Sequence, residues 1–546
     1  AGKWPHGEEW VREAISDTYI PILNSLNDLV DDGVEFKLTV GITPILAEQL
    51  ADESIIANFI QYAAERAAWA SADVKRFEDE GNEAARDLAR YYHHWYARNL
   101  TNFQDKYGSD ILGAFRTLQD AGYVEIATSA ATHGYLPLLS RDSSIYGQIA
   151  TGVEVYRRHF GREPKAIWLP ECAYRPAYED DGTIRPGIES FLAAQGLSVF
   201  FSETHTVEGG RPVGKAAGGT IGLYGAVERK YKAPVDPDLS PPSSGTTFRP
   251  YWVGDAPGQV AVLGRNDRTG QQVWSGTYGY PGDFVYREFH RKDPVSGLQY
   301  WRIGGADVDL GQKPLYEPDA AQQQLVGHAE HFAYLVEELL EGYANETGEF
   351  GVISSAYDTE LFGHWWFEGA DWLKHVLRRL AQSDKVELTT ASEIIENHAP
   401  DRVMVLPESS WGAGGGHFTW LNPETDWMWP IIHAAETRME GLVAQYPDAS
   451  GELDRVLNQA ARELLLLQSS DWPFLVTTGQ AKDYAVKRFN EHVDRFNTLA
   501  SALEANETPE GSTLELVAQF ENLDNPFPTV DYRSFAARQG DAGQAV

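Results

Sequence analysis

Apolar positions along the chain fall first into a helical rhythm. Val11, Ala14, Ile15, Thr18, Tyr19, Ile22, Leu23, Leu26 and Val30 recur with the 3.6-residue period, which predicts an amphipathic helix over 11–30. Gly33 ends it, and V-E-F-K-L-T-V at 34–40 then alternates with period two, as a strand does, before running into G-I-T-P-I-L. A long helical stretch is expected over roughly 54–121, relieved by Gly81 and Gly108. The alternation then repeats: strands are expected at 123–128, 166–170, 198–201, 260–264, 351–355 and, as the last, V-E-L-T at 386–389. Helices are expected at about 143–160 and from near Trp365, where Trp366, Ala370, Leu373, Leu377 and Leu380 keep helical spacing.

Strands alternating with helices imply parallel βα units, and hence an α/β barrel-type fold. The polar and aromatic clusters fall repeatedly just after strands, which is the catalytic face of such a barrel. Residues 206–258 are rich in Gly, Pro and Ser and read as an irregular insertion. Beyond about 400 the pattern turns helical, over roughly 426–446, 450–468 and 479–505. The expected organisation is a catalytic barrel over 1–400 and a helical C-terminal domain over 401–546 that contributes to the substrate groove.

Composition narrows the partners. A net charge of −35 argues against nucleic acid, whose phosphates would be repelled, and suits a neutral substrate, a salt-adapted host or plain solubility. No run of about 18 apolar residues suggests a membrane span. The start, A-G-K-W-P-H-G-E-E-W, has neither the basic flank nor the apolar segment of a signal peptide. One cysteine, Cys172, allows no intrachain disulfide and fits a reducing cytosol, so a cytoplasmic protein is expected. Sixteen Trp and 26 Tyr exceed what core filling needs, and flat aromatic faces are what sugar rings stack on.

Cleaving a glycosidic bond usually takes two carboxyl groups flanking it, one to protonate the leaving oxygen and one to attack or to activate water. With 80 acidic residues in the chain, context must select them. Glu171 stands at a strand end in I-W-L-P-E-C-A-Y-R-P; the alternative is a structural carboxylate paired with Arg175. Asp358 stands in S-S-A-Y-D-T-E-L-F-G-H-W-W, where aromatic walls would raise its pKa by desolvation. Its alternative role is a helix N-cap, with Glu360 in the first turn. His133, in A-T-H-G-Y, could bond a sugar hydroxyl or be a satisfied structural histidine. Trp274 sits among small and aromatic residues fit for a stacking platform, and Arg265 follows the strand at 260–264. Trp411 and Trp420 lie on a glycine-rich loop, where a substrate clamp explains bulky indoles better than folding does. Asp471 and Trp472 end a helix, as either a cap turn or a substrate contact. His328 and His331 give an H-x-x-H spacing with no third ligand, so no metal site and no cofactor are expected.

Taken in order, G-I-T-P-I-L, A-T-H-G-Y, W-L-P-E, Y-G-Y-P-G, R-E-F-H-R-K-D-P, Y-D-T-E-L-F-G-H-W-W, S-W-G and S-D-W-P-F-L resemble glycoside hydrolase family 57, and most closely its branching enzymes acting on α-1,4-glucans. The resemblance implies an incomplete (β/α)7 barrel with a helical C-terminal domain and a retaining double displacement without metal. It implies Glu171 as nucleophile and Asp358 as general acid/base, with the alternative of an amylase or 4-α-glucanotransferase on the same fold. His133, Tyr224, Arg265, Trp274, Trp411, Trp420, Asp471, Trp472 and Gln480 would contact an α-glucan such as amylose or glycogen. A monomer is favoured, with the oligomeric state left open. The family pattern also carries a His-x-His-x-Pro strand ahead of the segment matching A-G-K-W-P-H-G-E-E, where this sequence begins; a histidine and a barrel strand would be expected there.

Overall fold

The computed structural model describes residues 7–180, 182–209, 221–222, 225–226, 245–254, 259–275, 279–305, 307–505 and 511–538. Its centre is a curled seven-stranded sheet of β1 (Leu38–Gly41), β2 (Val124–Ser129), β3 (Ala166–Trp168), β4 (Val199–Ser202), β5 (Tyr251–Val253), β6 (Ala261–Gly264) and β7 (Val403–Met404), in the order β1-β2-β3-β4-β6-β5-β7. Every pairing is parallel except β6 with β5. The strands β2, β3, β4 and β6 are almost wholly buried, as expected for parallel strands covered on both faces. Ala127, Ala166, Val199, Ala261 and Leu263 fill the space inside the curl with Ile394 and Ile395.

The expected helix over 11–30 forms, but with an interruption. Glu8–Ala14 and Ile20–Asp31 are α-helical, and Ile15–Tyr19 between them is a fully buried π turn. The helical stretch after β1 is a hairpin of Glu53–Asp79 and Glu83–Thr101 broken at Gly81 (φ 71°), followed by Ile111–Asp120. Asp52 starts the first of these by accepting the Ser54 and Ile55 amides at 2.9 and 3.0 Å.

Three strand expectations need correction. Of 34–40 only Leu38, Thr39 and Val40 join the sheet, and the strand runs on to Gly41. Residues 351–355 run extended but contribute a single bridge, Ser354 to Arg265. V-E-L-T at 386–389 is not a strand; it leads into Thr390, which caps the helix Ala391–Asn397 with a reciprocal Thr390–Glu393 box. The sheet instead ends on β5 and β7, three and two residues long, too short to show a period.

C-terminal to the sheet, Met428–Gln445, Glu452–Leu467, Asp471–Thr478, Lys482–Glu504 and Ser512–Leu523 pack together as helices. They meet the barrel through buried polar contacts. Glu436 accepts from the Ser140 hydroxyl (2.6 Å) and the Ser140 and Arg141 amides, and Gln148 donates to Gln468 at 3.0 Å. No helix among the described residues is long and apolar enough to cross a membrane.

Candidate active site

β3 ends in Leu169-Pro170, and the chain then turns sharply. Glu171 takes φ 62° and Cys172 φ 49°, left-handed values that a non-glycine residue adopts at a cost of roughly 1–2 kcal/mol. The turn swings Glu171 to the carboxyl end of the sheet, where Trp411 holds it twice. The indole Nε1–H donates to Glu171 Oε2 at 2.6 Å, and the Trp411 amide donates to the Glu171 carbonyl at 3.0 Å. The structural alternative for Glu171 is not realised: Arg175 lies 3.8 Å from Asp142 and over the Tyr178 ring.

An aromatic wall forms around this contact. The Trp411 ring meets Trp168 at 5.1 Å and Trp274 at 6.4 Å, and Trp168 meets Phe201 at 5.8 Å. Trp274 is 41% exposed, leaving ring surface for a ligand. Arg265, at the end of β6, sits 5.4 Å over the Trp411 ring and is paired with Glu203. His133, itself at φ 57°, places Nδ1 2.9 Å from Ser470 Oγ and 3.8 Å from Glu171 Oε1.

Asp358 follows the extended segment from Ser354 and precedes a short 3₁₀ turn, Thr359–Leu361. Its side chain makes no cap hydrogen bond, so the N-cap alternative fails. It is open to the cleft yet ringed by protein, and this loss of bulk water raises its pKa to about 7, with the Glu360 charge adding and Arg265 opposing. Glu171 is more enclosed, and burial lifts it to about 8; the Trp411 bond opposes the rise, while the charges of Asp358 and Asp471 add to it. Burial thus raises both carboxyls, Glu171 the further, and the Asp358 charge adds to the rise at Glu171.

Comparison with known proteins agrees with the geometry. Residues 2–407 match the profile of glycosyl hydrolase family 57, and residues 431–535 match the C-terminal region of 1,4-alpha-glucan branching enzymes. The chain belongs to glycosyl hydrolase family 57. Among its relatives, the 1,4-alpha-glucan branching enzyme of Thermococcus kodakarensis is 46% identical over 535 residues, 97% of this chain and 75% of that protein. The crystal structure of that enzyme superposes with a TM-score of 0.87 at 44% identity, covering 98% of this chain and 94% of the other. The family 57 branching enzyme of Pyrococcus horikoshii gives 0.85 at 42% identity over 99% and 94%. The alpha-amylase AmyC of Thermotoga maritima gives 0.80 at 30% identity over 98% and 96%.

The other residues that the resemblance implied divide. Asp471 is exposed at the start of the helix Asp471–Thr478, close enough for its charge to act on Glu171 and His133. Trp420 requires a correction. It is 1% exposed, stacked on Tyr135 at 4.3 Å, with Gly412 against its other edge, so it backs the wall rather than offering a face to sugar. Trp472 is half-buried; its indole N–H donates to the Leu466 carbonyl at 2.8 Å and its ring stacks toward His492. Gln480 is half-buried just after Gly479, the residue that ends the helix. Tyr224 lies outside the described residues.

Sequence reasoning missed the supports: Trp168, Ser470, Tyr19, and a chain in which Tyr135 meets His417 Nδ1 at 2.8 Å and His417 Nε2 meets Glu408 at 2.7 Å. Trp168 and Ser470 carried a signal, in the strings W-L-P-E and S-D-W-P-F-L. His328 and His331 bond Tyr286 and Tyr280 instead of forming a ligand set. A buried Glu463–His492–Asp524 cluster brings three possible ligand atoms together, with Arg488 and Arg495 paired to Asp524 and His492 2.8 Å from Glu463.

Proposed function

We propose that this chain is a 1,4-α-glucan branching enzyme working by a retaining double displacement. Glu171 attacks C1 of an α-1,4-linked glucose while Asp358 gives its proton to the departing O4. The C1–O4 bond breaks as the Glu171–C1 ester forms, and the leaving chain departs with a free 4-hydroxyl. Asp358, now ionised, takes the proton of a 6-hydroxyl on an acceptor chain. That oxygen displaces Glu171 from C1, leaving an α-1,6 branch of retained configuration.

The observation that carries this reading is the clamp on Glu171. A nucleophile must be ionised while its partner is protonated, and the short N–H donated to Glu171 works toward that by opposing the rise that burial imposes on it. A glucan seated against Trp274 and Trp411 would displace water from the exposed Asp358 and favour its protonated form. His133, Arg265 and Asp471 supply polar contacts around the sugar, with Tyr224, Trp472 and Gln480 proposed to act farther along the chain. The substrate is an α-glucan of the amylose or glycogen type. The single buried cysteine and the branching-enzyme relatives support a cytoplasmic setting.

The test is NMR detection of α-1,6 linkages after incubation with amylose, wild type beside Glu171→Gln. New branches from the wild type alone support the proposal; no branches from either refute it. The likeness to the Thermotoga maritima alpha-amylase favours one second reading, hydrolysis on the same first step. Reducing ends released without branches would select it.

A further inference from the structure

The loop bearing Asp358 is docked on the chain's first long helix, and the dock is the π turn. A π turn adds a residue to the helical repeat at the expense of good hydrogen bonding, and such turns concentrate at functional sites. Here all five residues, Ile15–Tyr19, are buried, and three of them grip the acid loop. Thr18 Oγ1 accepts the His364 amide at 3.0 Å. The Asp17 carbonyl packs so close to Gly363 (φ 129°) that a Cβ there would stand 1.8 Å from it. Tyr19, 5% exposed, donates its phenolic O–H to Glu360 Oε1 at 2.6 Å.

Glu360 is two residues beyond Asp358, and its charge acts on both Asp358 and His133. Charged groups around this point are Glu171 from the β3 turn, Arg265 from the end of β6 with its partner Glu203, Asp471, which acts on Glu171 and His133, Asp17 of the π turn 3.6 Å from Arg287, and His364 of the acid loop 4.0 Å from Glu13. Arg265 therefore pulls Asp358 toward ionisation while Glu360 opposes it.

We infer that Tyr19 is a positioning residue for the general acid/base: its phenol fixes the Glu360 carboxylate against the acid loop, and that fixed charge tunes the group that exchanges protons with the glucan. The inference rests on Asp358 being the acid/base. A negative neighbour favours the protonated form, so the pair keeps Asp358 able to donate at higher pH than it otherwise could. The π turn serves this by bringing Thr18 and Tyr19 to the same loop, one for backbone and one for side chain.

The experiment is the pH dependence of kcat/KM for branch formation in the full chain. Glu360→Gln keeps an acceptor for Tyr19 but removes the charge; the alkaline limb should move to lower pH by about one unit. At pH 8 its activity relative to wild type should fall roughly 5- to 10-fold below the same ratio at pH 6. Tyr19→Phe should move the limb the same way by less and lower kcat, with KM within about twofold. Limbs that stay in place in both variants, with activity lowered evenly at all pH values, would leave Tyr19 a merely structural residue and overturn the inference. Asp358→Asn separates the two failures: wild-type turnover in that variant would sink the acid/base reading itself.

Discussion

Replacing Trp411 with Phe removes one N–H while keeping an aromatic ring against Trp168. The lost bond is 2.6 Å long, is part-buried and ends on Oε2 of Glu171, the proposed nucleophile. Hydrogen bonds to charged groups contribute about 1.5–3 kcal/mol. In the first displacement the Glu171 charge is being consumed, so part of this bond is lost on reaching the transition state in any case. Its main contribution is to have Glu171 ionised and aimed beforehand. At 1.36 kcal/mol per pKa unit, losing it should raise Glu171 further above about 8 by roughly one to two units. A nucleophile must be ionised, so activity gained on deprotonation then appears at higher pH: the acid limb of kcat/KM moves up. Near neutrality kcat/KM should drop about 10- to 150-fold. The assay is initial-rate branching of amylose across pH, read as α-1,6 linkages, beside thermal unfolding to confirm that the fold survives. An acid limb within about 0.3 unit of wild type, with activity within threefold, would refute the assignment of the Trp411 clamp to nucleophile control.

The same geometry sets three further expectations. Asp358→Asn should abolish branching of amylose but leave glycosyl-enzyme formation from an α-maltosyl fluoride, whose leaving group needs no proton, trappable by mass spectrometry. With the like charge gone, that half-reaction should also turn on at a lower pH than in wild type. Gly363→Ala must place a methyl 1.8 Å from the Asp17 carbonyl at φ 129°, so it should cost about 2–4 kcal/mol in a urea unfolding series. Trp420→Ala should destabilise by about 3–5 kcal/mol because it empties a buried site, whereas Trp274→Ala, at an exposed ring, should change stability by under about 0.5 kcal/mol and raise KM for amylose.

Much of the barrel is legible because β2, β3, β4 and β6 are short apolar runs that the parallel sheet buries on both faces. The segments 351–355 and 386–389 carry similar residues but form no ladder, since a run of apolar residues does not say whether a neighbour will align beside it. β5 and β7 are invisible because they are only three and two residues long, and β7 is a strand only through its pairing with β5, far back in the chain. The site divides in the same way. Glu171 and Asp358 stand out because each closes an apolar run in an aromatic neighbourhood. Their partners are not legible as partners, because Trp411, itself a candidate, is 240 positions from Glu171, Tyr19 is 341 from Glu360 and Ser470 is 337 from His133. Nor does an aromatic count tell a wall from its backing, which is why Trp274 and Trp420 looked alike.

Strain explains why the helices beyond the barrel belong to the chemistry. His133 and Glu171 both sit at positive φ, each at a cost of roughly 1–2 kcal/mol, and such conformations persist only where surrounding contacts over-determine them. The contacts come from one direction. The Ser470 amide donates to the His133 carbonyl at 3.1 Å, Gly134 bridges Ser469, and the Ser470 hydroxyl bonds the imidazole. The Trp411 amide donates to the Glu171 carbonyl, and two bonds between Tyr174 and Ser409, at 2.9 and 3.0 Å, tie down the next residues of the same turn. Every one of these partners lies beyond residue 407, where the match to the family 57 profile ends. The barrel strands carry the two turns, but the segments 409–411 and 469–470 hold them in the left-handed form that brings His133 Nδ1 within 3.8 Å of Glu171 Oε1. A change that loosens the helices under Ser470 should therefore act on catalysis before it disturbs the sheet, since the strained turns have the most to gain by relaxing.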